Sequence, residues 1–134
     1  MPAPQWRWAL AALWMVLSPG VALADRPAPD AVIIFEAGTD SIPTTDDKVF
    51  EQLSIKAKSD PGNWISLEAY ANDLGSRELN LALAQRRMED VSRRLAMLGF
   101  PPHRIRGTSY RESSTADGDL PTRRVEIRIA KLGL

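Results

Sequence analysis

Four polar side chains near the middle of the 134-residue sequence have the types and the spacing to hold a small charged group. Asn72 and Asp73 end an alternating apolar segment. Asn80 and Arg87 follow, seven residues apart. On a helix that interval is about two turns, so the two side chains share one flank at about 10 Å separation. A guanidinium grips a carboxylate through two parallel hydrogen bonds, and an acid or amide oxygen takes an ammonium. A strand-to-helix junction adds free backbone N–H groups, which also favour a carboxylate. The set reads as a binding site for a zwitterionic amino-acid end group rather than as machinery for making or breaking bonds. The competing reading is structural: an arginine beside an apolar stripe commonly lays its stem on the core, and Asn72-Asp73-Leu74-Gly75 has the composition of a turn.

Other chemistries find little support. The chain has no cysteine and one histidine, His103, which excludes thiolate nucleophiles, disulfides and multi-histidine zinc sites. His103 follows Pro101-Pro102 with no acid or nucleophile patterned to it and reads as a surface residue. Ser113 and Ser114 lack the glycine pattern of a nucleophile elbow. No phosphate-cradling glycine loop occurs, which disfavours a small acyl-phosphate hydrolase. Lysine plus arginine and aspartate plus glutamate each total 17, so no basic excess points to nucleic acid. No cofactor is expected.

The elements that must position these residues follow from the pattern. Residues 1–24 have the three parts of an export signal: Arg7, an apolar run from Ala9 to Leu17, and Ala22-Leu23-Ala24 after a Ser18-Pro19-Gly20 break. The run is far short of the ~20 residues of a spanning helix, so no transmembrane segment is expected after cleavage. Residues 25–30, with two prolines, read as a flexible lead-in, and 31–131 as one domain. Ala31–Phe35 reads as a strand buried on both faces. Thr44 or Thr45 is expected to cap a first helix carrying Val49, Phe50, Leu53 and Ala57 to Pro61-Gly62. Ile65, Leu67, Ala69 and Ala71 alternate as a second strand, with Trp64 at its start as a core or rim aromatic. Gly75 and Ser76 open a second helix whose stripe runs Leu81, Ala84, Met88, Val91, Leu95, Leu98, which puts Arg87 at the stripe's border. Arg104–Tyr110 and a segment through Val125, Ile127 and Ile129 complete the strands, with the polar loop Ser113–Pro121 between them. The order β-α-β-α-β-β implies a two-layer α/β sandwich, two helices on one face of a mixed four-stranded sheet.

These residues also carry a resemblance. Asn72-Asp73-Leu74-Gly75-Ser76-Arg77-Glu78-Leu79-Asn80, then Leu83, Gln85-Arg86-Arg87, Leu95, Gly99 and His103-Arg104-Ile105, resemble the OmpA-like peptidoglycan-binding domain. Its pattern is T-D-x-x-G-x-x-x-x-N-x-x-L-S-x-x-R-A, a helix ending in L-x-x-x-G, then R-I. Thr122-Arg123-Arg124-Val125-Glu126-Ile127 is similar to the N-R-R-V-E-I that closes the family, and Phe35 matches its early phenylalanine. The resemblance covers about Val32 to Ile129. It implies a non-catalytic domain of the Gram-negative cell envelope, in the periplasm and associated with the cell wall or outer membrane. Its ligand would be the diaminopimelate of the peptidoglycan stem peptide, clamped by the motif acid and arginine. The motif arginine is Arg87 and the motif asparagine Asn80. Counting back from Gly75, the acid falls on Asn72 and the threonine on Ala71; Asp73 supplies the charge if the loop is one residue shorter. Ala84 and Met88 replace the motif serine and alanine. Arg124 is placed at an edge of the same pocket. The loop at Gly38-Thr39-Asp40 would form the other wall, without a residue-level role. The alternative is a protein-interaction module of the same fold with a degenerate pocket, docking on another envelope protein.

Overall fold

The computed structural model describes residues 27–110 and 121–131. The leader read at 1–24 and most of the loop Ser113–Pro121 lie outside the described residues. The elements are strand β1 (Ala31–Ile34), a 3-10 turn (Thr44–Asp46) running into helix α1 (Asp47–Lys58), strand β2 (Asn63–Tyr70), helix α2 (Arg77–Met97), a 3-10 turn (Pro102–Arg104), strand β3 (Ile105–Tyr110) and strand β4 (Arg124–Lys131). The four strands form one sheet in the order β1-β4-β2-β3. β4 is antiparallel to both β1 and β2, and β2 is parallel to β3. β1, β2 and β3 therefore run the same way, and their carboxyl ends share one pole.

Both helices lie on one face of this sheet, as expected from the element order. The core between the layers gathers Ile33 and Phe35, then Ile65, Leu67 and Ala69 from β2, and Val125 and Ile127 from β4. From the helices it takes Phe50, Leu53 and Ala57 of α1 and Leu83, Val91 and Leu95 of α2. Ser76 caps α2, its hydroxyl accepting the Leu79 N–H at 3.1 Å, and Gly99 closes the helix at φ +96°, a conformation that favours glycine.

Three details differ from the sequence reading. β1 is an edge strand: Ile33 is buried but Ile34 is 41% exposed, because only β4 pairs with it and the helices cover one face alone. Neither Thr44 nor Thr45 caps α1; Pro43 leads into the 3-10 turn, and Asp46 precedes the helix without a side-chain capping bond. The buried face of α2 is Asn80, Leu83, Ala84, Arg87, Val91 and Leu95, while Leu81 is 46% exposed. That face is rotated about 45° from the expected stripe, so Arg87 lies within about 30° of its centre. Residues 27–30 are tied to β4: the Asp30 N–H donates to the Ile127 carbonyl (2.8 Å) and the Asp30 carboxylate accepts from the Ile129 N–H (2.7 Å).

Candidate ligand site at the carboxyl ends of the strands

Arg87 is brought to the sheet by the buried face of α2, and its side chain has no solvent exposure. A buried guanidinium needs an acceptor for each of its five N–H groups, or the unpaired ones incur a large desolvation cost. All five are met. Nε donates to the Thr39 carbonyl (2.8 Å), Nη1 to the Tyr70 carbonyl (3.3 Å) and Nη2 to the Glu36 carbonyl (3.3 Å). The remaining two bonds reach the Asp73 carboxylate side by side, Nη2 to Oδ2 at 2.6 Å and Nη1 to Oδ1 at 3.2 Å. The guanidinium carbon also stands 5.1 Å from the centre of the Phe35 ring, a cation–π contact.

Asp73 is the acid of this pair. Its side chain is 5% exposed and accepts two backbone N–H bonds besides those of Arg87, from Gly38 (2.9 Å) and Asn72 (3.1 Å). Burial works against its ionisation, but the hydrogen bonds from Arg87 and Gly38 and the Arg87 charge outweigh it and hold the carboxyl below the ordinary aspartate value. Asn72 is exposed and serves the pair through its backbone N–H. Asn80 is buried and fixes the turn: its Oδ1 accepts the Leu74 N–H (2.7 Å) and its Nδ2 donates to the Leu74 carbonyl (3.0 Å). Asp73, Asn80 and Arg87 thus come together around one turn, with the Asn72 side chain at its outer surface.

Arg124 is placed differently. Residues of β4 alternate, so Val125 and Ile127 face the helices while Arg124, Glu126 and Arg128 emerge on the other side of the sheet. Arg124 is fully buried there, donating from Nε to Glu126 (2.7 Å) and from Nη1 to the Pro121 carbonyl (2.9 Å), and its guanidinium lies 4.0 Å from the Tyr70 ring centre. Tyr70 joins the two arginines: its ring stacks with Arg124 and its carbonyl accepts from Arg87.

The resemblance placed the loop Gly38-Thr39-Asp40 at the other wall without residue-level roles, and sequence reasoning missed Glu36 and what Gly38 and Thr39 individually contribute. All three act through the backbone, and the one local signal is Gly38, whose φ of +74° marks the tight turn that aims its N–H at Asp73. Among the described residues no cluster of histidine, cysteine or acid side chains is arranged to hold a metal ion, and no helix is long and apolar enough to cross a membrane.

Comparison with known proteins gives a consistent picture. The OmpA family matches residues 34–128. The peptidoglycan-associated lipoprotein of Pseudomonas putida is 37% identical over 73 residues, 50% of this chain and 44% of that protein, so the match spans less than half of that relative's length. Among solved structures, the peptidoglycan-associated lipoprotein of Burkholderia pseudomallei aligns with a TM-score of 0.66 at 26% identity, covering 74% of this chain and 89% of that one. The C-terminal domain of Helicobacter pylori MotB shares the fold, with a TM-score of 0.62 at 20% identity over 75% of this chain and 84% of its own.

Proposed function

Since this chain belongs to the OmpA family, which matches its residues 34–128, we propose that it binds cell-wall peptidoglycan non-covalently in the periplasm of a bacterial envelope. The chain is not an enzyme. Its ligand is the diaminopimelate of the stem peptide, whose free end carries a carboxylate and an ammonium on one carbon. Arg87 takes the carboxylate and Asp73 accepts from the ammonium, with the exposed Asn72 amide beside them. Asn80 orders the turn, and Arg124 positions Tyr70 behind Arg87.

The observation that carries this reading is the contact of Asp73 with Arg87 at 2.6 Å, opposite charges placed together at the carboxyl ends of the strands. In open α/β sheets that pole is where ligands bind. The relatives named for peptidoglycan association support the same reading. One observation favours the rival, a module docking on another envelope protein: every donor of Arg87 is already engaged.

Sedimentation with purified sacculi separates the two. The protein is expected to co-sediment with diaminopimelate-containing sacculi and to be retained poorly by sacculi carrying lysine at that position. Arg87→Lys keeps a cation against Asp73 but loses the two-pronged grip, and is expected to lower retention about tenfold in a variant that circular dichroism shows to be folded. Absence of wild-type co-sedimentation, or equal retention on both kinds of sacculi, would overturn the proposal.

A further inference from the structure

β3 is the second edge of the sheet, and among the described residues only β2 pairs with it. Edge strands are commonly protected by a proline, a bulge or a very short length. β3 has none of these. Ile105–Tyr110 is six residues without a proline, and its register with β2 runs unbroken from Ile65 opposite Ile105 to Tyr70 opposite Tyr110. Beside it, on the helix face, lies a groove of about 370 Å³ between β3 and α2, lined by Leu67, Ile105 and Gly107 below and Met88, Ser92 and Ala96 along the helix. The charged residues that also border it are engaged, Arg93 with Asp90 at 2.6 Å and Glu89 accepting from Gln85 at 3.4 Å, so what the groove accepts is an apolar side chain. On the other face of β3 stands Arg106. It is exposed, its guanidinium lies 5.0 Å from the Trp64 ring centre, and no carboxylate among the described residues pairs with it.

We propose that β3 takes an added strand, an extended segment of another protein whose side chains alternate between apolar and acidic. The main chain of that segment pairs along the open edge of β3, which supplies affinity without regard to sequence. Successive side chains of a strand point to opposite faces, so its apolar residues enter the groove beside Met88 and its acidic residues stand next to Arg106. Opposite charges at such cross-strand positions attract, and like charges repel. A second copy of this chain fits less well. Ile105, Gly107 and Ser109 share the groove face, so a second β3 brings mostly small or polar groups to it. Antiparallel pairing of two β3 strands centred on Gly107 also sets both Arg106 side chains on one face as like-charged neighbours. The surface is separate from the Asp73–Arg87 pair, whose partners come from the segment after β1, the end of β2 and the turn before α2, so both can be occupied at once.

Fluorescence anisotropy and amide hydrogen exchange on the unaltered protein test this. The probe is a labelled peptide of alternating valine and glutamate, about eight residues long so that it spans β3. A second peptide carries lysine in place of glutamate, and a third carries proline at its centre. The valine–glutamate peptide is expected to bind saturably and to slow exchange of the β3 amides but not those of β1, the opposite edge. The lysine peptide is expected to bind at least about fivefold more weakly, and the proline peptide not to bind, because proline breaks the added ladder. Arg106→Glu is expected to reverse the order of the first two peptides while leaving sacculus retention unchanged. Absence of saturable binding by the valine–glutamate peptide overturns the proposal, as does binding that leaves β3 amides unprotected or that is equal for the lysine peptide. Protection of β3 that grows with protein concentration in the absence of peptide means that a second copy occupies the edge, and overturns the assignment to another protein. If Arg106→Glu does not fold, the peptide series and the exchange pattern of the wild type decide alone.

Discussion

At the scale of the residue, Arg87 is as much a structural tie as a ligand group. It fastens the segment after β1, the end of β2 and the turn before α2 to one helix. Arg87→Ala would remove the donor from three backbone carbonyls, that of the buried Tyr70 among them, and leave Asp73 uncompensated. The expected cost is about 3–5 kcal/mol in urea unfolding near neutral pH, and an undiminished midpoint would contradict this account. Asp73 gives the same tie a pH dependence. Its carboxyl titrates below the ordinary value of 3.8, so its stabilising contribution is complete above that value and is lost as pH falls through the lower, folded-state value. Wild-type stability is therefore expected to decline below about pH 4, whereas Asp73→Asn is less stable near neutrality but loses less on acidification. Unfolding midpoints measured between about pH 7 and pH 2 should converge for the two proteins at the acid end. Which neighbour supplies the acid was not legible in sequence. Counting from Gly75 selects Asn72, yet it is Asp73 that meets Arg87. The choice depends on a Gly38 N–H arriving from 35 positions away in the chain, which no local pattern announces.

At the scale of the element, order and type were readable because alternation in β2 and β4 and the caps of α2 are local properties. The orientation of α2 was not. An apolar stripe through Leu81, Met88 and Leu98 looks sound as a pattern. The helix instead turns Asn80 and Arg87 inward, because both side chains find hydrogen-bond partners there, and leaves Leu81 46% exposed. Buried polar groups satisfied by tertiary contacts are invisible to a hydropathy count. The packing of α2 on β3 has its own test. A Cβ at Gly107 would stand 2.2 Å from Met88 Sδ and 2.9 Å from its Cγ, so the glycine is where the edge strand admits the methionine. Gly107→Ala is expected to destabilise by about 1–3 kcal/mol, because the Met88 side chain must leave its place. In a double-mutant cycle with Met88→Ala, the two losses are expected to sum to more than the loss of the double variant. Strict additivity in thermal unfolding would show that the two sites do not meet.

At the scale of the whole molecule, the sheet separates the way in from the site. β1, β2 and β3 all point their carboxyl ends toward the Asp73–Arg87 pole, and β2 alone is eight residues, about 23 Å, long. The chain arrives from the other side. Arg128 donates from Nε to the Pro27 carbonyl at 3.0 Å, Asp30 is bonded to Ile127 and Ile129, and Lys56 at the end of α1 pairs with Asp30 at 2.6 Å. Arg128 stands four residues along β4 from Arg124, about 13 Å from the ligand pole. Pro27, the first described residue, is thus anchored away from the proposed ligand, whereas the segment from Glu36 to Thr39 is built into the site itself. A reporter domain joined through a flexible linker ahead of Pro27 is expected to leave sacculus retention within about twofold of the unfused protein, the linker keeping the two bodies independent. Insertion of three glycines between Ala37 and Gly38 is expected to abolish retention while β2, α2 and β3 stay folded, because it removes the Gly38 amide from Asp73 and the Thr39 carbonyl from Arg87. Equal loss from both changes, measured in the same sedimentation assay with circular dichroism of each protein, would mean that ligand binding is not confined to this pole.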